Sequence, residues 1–122
     1  MTRTPAQLHQ IARDERARRK AALEAAGQGQ SDRARYDDAL WSNIEQMAGL
    51  AAGDPHCQAR HPQRWRDDER AVMAKNLWAT ACKADAKLDQ TIEANRIKTA
   101  DLLALYRWVR PMGWPPYATE AA

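Results

Sequence analysis

Residues 67–88, DDERAVMAKNLWATACKADAKL, decide the fold, because they carry neither glycine nor proline and repeat their apolar residues at helical spacing. Met73, Leu77, Ala81, Ala84 and Leu88 fall on one stripe, and Ala71, Ala74, Trp78 and Cys82 form a second beside it. Polar residues are confined to a strip near Lys75, Asn76, Lys83 and Lys87. A helix apolar over so wide an arc is expected to be central, touched from two sides.

Composition generalises that reading to the whole chain. Of 122 residues, 25 are alanine, two are valine, four are isoleucine and none is phenylalanine. Alanine has the best helix propensity, whereas strands favour β-branched and aromatic residues, so the chain is expected to be all-α. Five tryptophans stand out beside so much alanine. Alanine lets helices approach closely, and the few large side chains must then fill the gaps between them. A small bundle of three or four antiparallel helices follows, with self-association as a further option.

Outward from the central stretch, Thr4-Pro5-Ala6-Gln7 carries a capping threonine, proline at the first helical position and glutamine three residues after the cap. That helix should run to Ala26 and stop at Gly27. Its apolar stripe (Leu8, Ile11, Ala12, Ala22, Ala26) is interrupted by Glu15 and Arg19, so it is expected to be loosely attached. Asp14–Arg18 and Glu15–Arg19 are favourable i,i+4 pairs along it. After a Gly-Gln-Gly-Gln link, Ser31 caps a helix over roughly residues 32–52. Its expected core face is Tyr36, Leu40, Ile44, Met47, Ala48 and Ala51, with Trp41 at the edge. Gly53-Asp54-Pro55 ends it, and Pro62 is expected to start the next element. Between Pro62 and Pro111 a break is required, either within Asp85–Thr91 or at Lys98-Thr99, where Thr99 would cap a last helix. The inner face of that helix is Leu102, Leu105, Tyr106 and Val109. The tail Met112-Gly113-Trp114-Pro115-Pro116-Tyr117 is expected to be extended. The domain division is therefore a basic helix and linker over 1–30 and a helical core with its tail over 31–122.

Charge bounds the function. Nineteen Lys plus Arg stand against sixteen Asp plus Glu, a net of +3. Residues 1–35 carry +4 and residues 36–62 carry −3, so the basic excess sits at the front. Two widely spaced cysteines make no disulfide framework, and no run approaches the ~20 apolar residues of a membrane span. A cytoplasmic protein without a membrane segment is expected.

His56, Cys57 and His61 share a loop, with Cys82 as a further ligand, but the spacing matches no zinc signature. Read as a nucleophile and base, they lack the glycine-rich turns from which an oxyanion hole is built. Asp37-Asp38 and Asp67-Asp68-Glu69 fall in first turns, where they complement the helix dipole. Neither catalysis nor a cofactor is expected. A helix-turn-helix over 88–110 would offer Ala100, Asp101, Leu103 and Ala104 to bases, which is poor readout chemistry.

Two binding surfaces remain. His9, Arg13, Arg16 and Lys20 form a basic face suited to phosphate, extendable by Arg33 and Arg35. Trp108, Arg110, Trp114 and Tyr117 are the residue types that anchor protein interfaces. The leading expectation is a small non-enzymatic protein-binding module, an adaptor or inhibitor of bacterial or phage type that occludes a partner's surface. The alternative is a nucleic-acid-associated regulator working through its N-terminal helix.

Overall fold

The computed structural model describes residues 3–58 and 65–111, and they are helical almost throughout. Among the described residues the helices are α1 (Pro5–Ala25), α2 (Asp32–Ala51), the single turn α3 (Pro55–Gln58), α4 (Asp67–Lys87) and α5 (Glu93–Val109). Two antiparallel hairpins, α1–α2 and α4–α5, stack into an all-α bundle. The Pro62 start and the 112–117 tail, with Trp114 and Tyr117, lie outside the described residues.

Local signals set most boundaries. The Gln7 N–H donates to Thr4 Oγ1 at 3.2 Å and the Thr4 N–H donates to Gln7 Oε1 at 2.8 Å, a complete capping box. Gly27, at φ 73°, turns the chain out of α1, and the Ala34 N–H donates to Ser31 Oγ at 3.1 Å to open α2. Gly53, at φ 79°, ends the second helix in the same way. The break in the long stretch falls at 88–92, after which α5 begins at Glu93. Thr99 is therefore no cap. It is buried inside α5, where its hydroxyl accepts from Gln90 Nε2 at 3.3 Å. Gln90 Nε2 also donates to the Leu88 carbonyl and to the Ala84 carbonyl, which accepts from the Leu88 N–H as well, so the turn closes without glycine.

The core joins all four long helices: Leu8 and Ala12 of α1, Leu40, Trp41, Ile44, Met47 and Ala48 of α2, Met73, Ala74, Leu77, Ala81 and Ala84 of α4, and Leu102, Leu105, Tyr106 and Val109 of α5. Three expectations change. Tyr36 is 65% exposed and Ala51 is also exposed, whereas Trp41 is fully buried, so the inner face of α2 is rotated toward Trp41. The cause is α1, which lies along α2 and covers the side that the apolar pattern alone left at the edge. The first helix is accordingly a wall of the bundle and not a loose arm. α4 packs chiefly along α5 and touches α2 only lightly, so it is one wall among four and not a spine. Its second stripe is half-buried at Ala71, Trp78 and Cys82, with the Trp78 and Tyr106 rings 5.3 Å apart.

A basic groove between the two hairpin turns

The first hairpin is joined by charge as much as by apolar contact. Arg16 donates from Nε and Nη2 to the two oxygens of Asp38 at 2.8 and 3.0 Å, and from Nη1 to Glu45 at 2.7 Å. Arg19 holds Asp37 at 2.7 Å while its guanidinium lies over the Trp41 ring. Hydrogen bonding by Arg16 lowers the Asp38 carboxyl below its ordinary range, although burial opposes the shift. The acidic excess of residues 36–62 thus has a specific use: much of it faces the arginines of α1.

This arrangement decides where the expected basic face lies. His9 is buried, Arg16 is bound to Asp38 and Glu45, and Arg13 is 3.8 Å from Glu45. Lys20 is exposed. The structure does not bring these four together as one solvent-facing surface. Asp14 does not pair with Arg18 but accepts from Gln10 at 2.8 Å. Arg18 turns instead to Glu15, donating to its two oxygens at 2.9 and 2.6 Å.

Glu15 is the unexpected element. Read in sequence as an interruption of the apolar stripe, its side chain is only 3% exposed, and it gathers Arg18, Arg19 at 3.5 Å and Lys98 of α5 at 3.7 Å. The hydrogen bonds from Arg18 to Glu15 raise the arginine's already high pKa further. One buried carboxylate therefore draws cations from α1 and α5 to one place.

Those cations edge a groove of about 510 Å³ at the end of the bundle where both hairpin turns lie. Its cationic rim comprises Arg18 and Arg19 of α1, Arg33 of α2, Lys83 and Lys87 of α4 and Lys98 of α5. Asp37 is the acidic residue of the lining. The floor is aliphatic: Ala22, Leu23, Ala26, Ala84, Leu88 and Leu102. The groove is open because the last turns of α1 carry alanine where a bundle helix would carry leucine, so the hairpins meet without filling the space. Arg33, Lys83 and Lys87 make no ion pair among the described residues. Its volume is in the range of ligand pockets, and its chemistry suits an anionic, partly apolar guest.

Of the expected anchors, Trp108 and Arg110 lie at the opposite end, and Trp114 and Tyr117 fall outside the described residues. Trp108 is half-buried against the core, and its carbonyl and that of Val109 accept from Arg70 at 2.8 Å each. The Arg110 guanidinium sits 5.6 Å from the Tyr106 ring centre. Cys57 is buried on α3, Cys82 is half-buried on α4, and His61 lies outside the described residues. Burial, with smaller contributions from Asp54 and Glu45, pushes the Cys57 thiol up, and burial with Asp85 does the same for Cys82. Sequence reading picked out Arg33 as part of a basic patch, and Lys83 and Lys87 were visible as an i,i+4 polar strip. No sequence signal linked them to Arg18 and Lys98.

No protein family, curated protein or solved structure matches this chain.

Proposed function

We propose that the protein is a small non-enzymatic binding module whose groove takes an acidic, amphipathic helical segment of a partner protein. The observation that supports this is the combination of an aliphatic floor with a cationic rim drawn from all four long helices. An amphipathic helix lays its apolar face into a groove, and carboxylates on its flanks would meet Lys83, Lys87, Lys98 and Arg33. Nucleic acid is a poorer fit. Single strands are held on aromatic platforms, and no residue lining the groove is aromatic. Duplex readout needs a convex element that enters a groove of the DNA, whereas this surface is concave. Trp108 and Arg110 fit an anchoring role less well, because both are already engaged within the fold.

The test uses a fluorescent helical peptide with leucines on one face and glutamates on its flanks, with single- and double-stranded oligonucleotides of equal charge as comparators. The peptide should bind, release as salt rises, and lose more than about tenfold in affinity to a Lys83→Glu/Lys87→Glu variant of unchanged circular dichroism. Tighter binding of either oligonucleotide, or a double variant that binds the peptide as the parent does, overturns the reading.

A further inference from the structure

The second feature lies at the far end of the first hairpin. His9 of α1, Asp54 of the α2–α3 turn and Cys57 of α3 converge so that one donor atom from each lies within 4.8 Å of the other two. Asp54 and Cys57 share one turn, and packing of α1 against α2 brings in His9 from more than forty residues away, so the tertiary fold completes the cluster. Local structure then aims each one. The Asp54 N–H donates to the Gly49 carbonyl at 2.9 Å, and Asp54 Oδ1 accepts from the His56 N–H at 2.9 Å. That leaves Oδ2 facing His9 Nδ1 at 3.9 Å. The Cys57 N–H donates to the Asp54 carbonyl at 3.0 Å, which folds the thiol back over the turn.

Gly49 makes the approach possible. A Cβ at this position in α2 would lie 2.9 Å from His9 Nε2 and closer still to Cys57 Sγ. The His9 ring edge and the Cys57 sulfur therefore rest on the same bare patch of helix backbone. A side chain of any size there would push them apart.

We propose that His9, Asp54 and Cys57 form a binding site for a zinc-class divalent cation. Imidazole nitrogen, thiolate sulfur and carboxylate oxygen are together the donors that borderline-soft ions take, and zinc accepts all three. Bonds of ~2.0–2.3 Å to a tetrahedral ion set donors ~3.3–3.6 Å apart, so separations of up to 4.8 Å have to close by as much as about 1 Å. The Asp54 side chain is 26% exposed, so water or a donor from a partner can reach the ion as its fourth ligand. On binding, the Cys57 thiol gives its proton to solvent and the thiolate becomes the ligand. The ion would then pin the first turns of α1 to the turn that follows α2. This site is independent of the groove, and neither assignment depends on the other.

The experiment titrates the full chain, stripped with chelator, with cobalt(II) as a spectroscopic stand-in and then with zinc. One equivalent of cobalt should bind with a thiolate-to-metal charge-transfer band and the visible absorption of a four-coordinate ion. Zinc should displace it and raise the melting temperature. His9→Ala, Asp54→Asn and Cys57→Ser should each weaken cobalt binding by more than about tenfold, while Cys82→Ser should leave it unchanged. The parent spectrum answers the question even if a variant fails to fold. A parent spectrum without a thiolate band, or a folded Cys57→Ser variant with parental affinity, overturns the proposal. Rapid alkylation of Cys57 that zinc does not slow would do the same and would mark the thiol as a nucleophile.

Discussion

Replacing Glu15 with alanine probes both the stability of the bundle and the charge of its groove. The side chain is 3% exposed, and Arg18 meets its two oxygens at 2.9 and 2.6 Å. Breaking a buried pair by removing one partner costs about 3–5 kcal/mol when the other charge is stranded. Here the cations are not fully stranded. The Arg18 and Lys98 side chains are 50% and 36% exposed and can turn to water, and Arg19 keeps Asp37 at 2.7 Å. Solvent screening therefore reduces the loss to about 1–3 kcal/mol. With a urea slope of ~1–3 kcal/mol/M for a small protein, the midpoint should fall by about 1 M. Fluorescence of the buried Trp41 is the natural reporter. Coupling between Glu15→Ala and Lys98→Ala in a double-mutant cycle should be under about 1 kcal/mol, because Lys98 stands at 3.7 Å and is partly hydrated. Glu15→Gln should lower stability less than alanine does and should also tighten an anionic peptide, since the groove then loses a neutralising charge. A Glu15→Ala midpoint indistinguishable from the parent would refute the argument, for it would mean that the cations need no counter-charge to hold their places.

Two further outcomes are expected. Trp41→Ala should cost about 3–5 kcal/mol and Tyr36→Ala less than about 1 kcal/mol in the same denaturation assay, since the first fills the core and the second is 65% exposed; the reverse order would restore the α2 face read from sequence. Asp38 has a lowered pKa in the folded state, so its contribution is complete above the unfolded value near ~3.9 and is lost as pH falls through the folded one. Asp38→Asn should therefore flatten the acid limb of the stability profile below about pH 4, and an unchanged limb would remove Arg16–Asp38 from the account.

Legibility in sequence followed the range of the signal. The capping box at Thr4 and Gln7, the Ser31 cap, and the stops at Gly27 and Gly53 act over a few residues, and each stands where it was read. The inner face of α5 was also legible, because Leu102, Leu105, Tyr106 and Val109 leave no competing stripe. In α2 the periodicity gave one face through Tyr36 with Trp41 at its edge, and which of the two is inside depended on where α1 would lie. The turn at 88–92 was one of two places the sequence offered, the other being Lys98-Thr99, since glutamine, not glycine, closes it. The groove was illegible as a site: its cations lie on separate stretches of sequence until Glu15 and the alanine-rich last turns of α1 bring them to one opening.

The sequence by itself determined an all-α chain, the ends of its first two helices and the amphipathic face of its last. Those follow from backbone propensity, capping and periodicity, which each residue expresses with its near neighbours. Only the tertiary structure decided that α1 is a wall of the bundle, that its arginines are spent largely on the acids of α2, and that six cations and an aliphatic floor share one groove. Charge on a helix has no partner until another helix is laid beside it. Which charges neutralise each other and which are left to face a guest is therefore settled by packing.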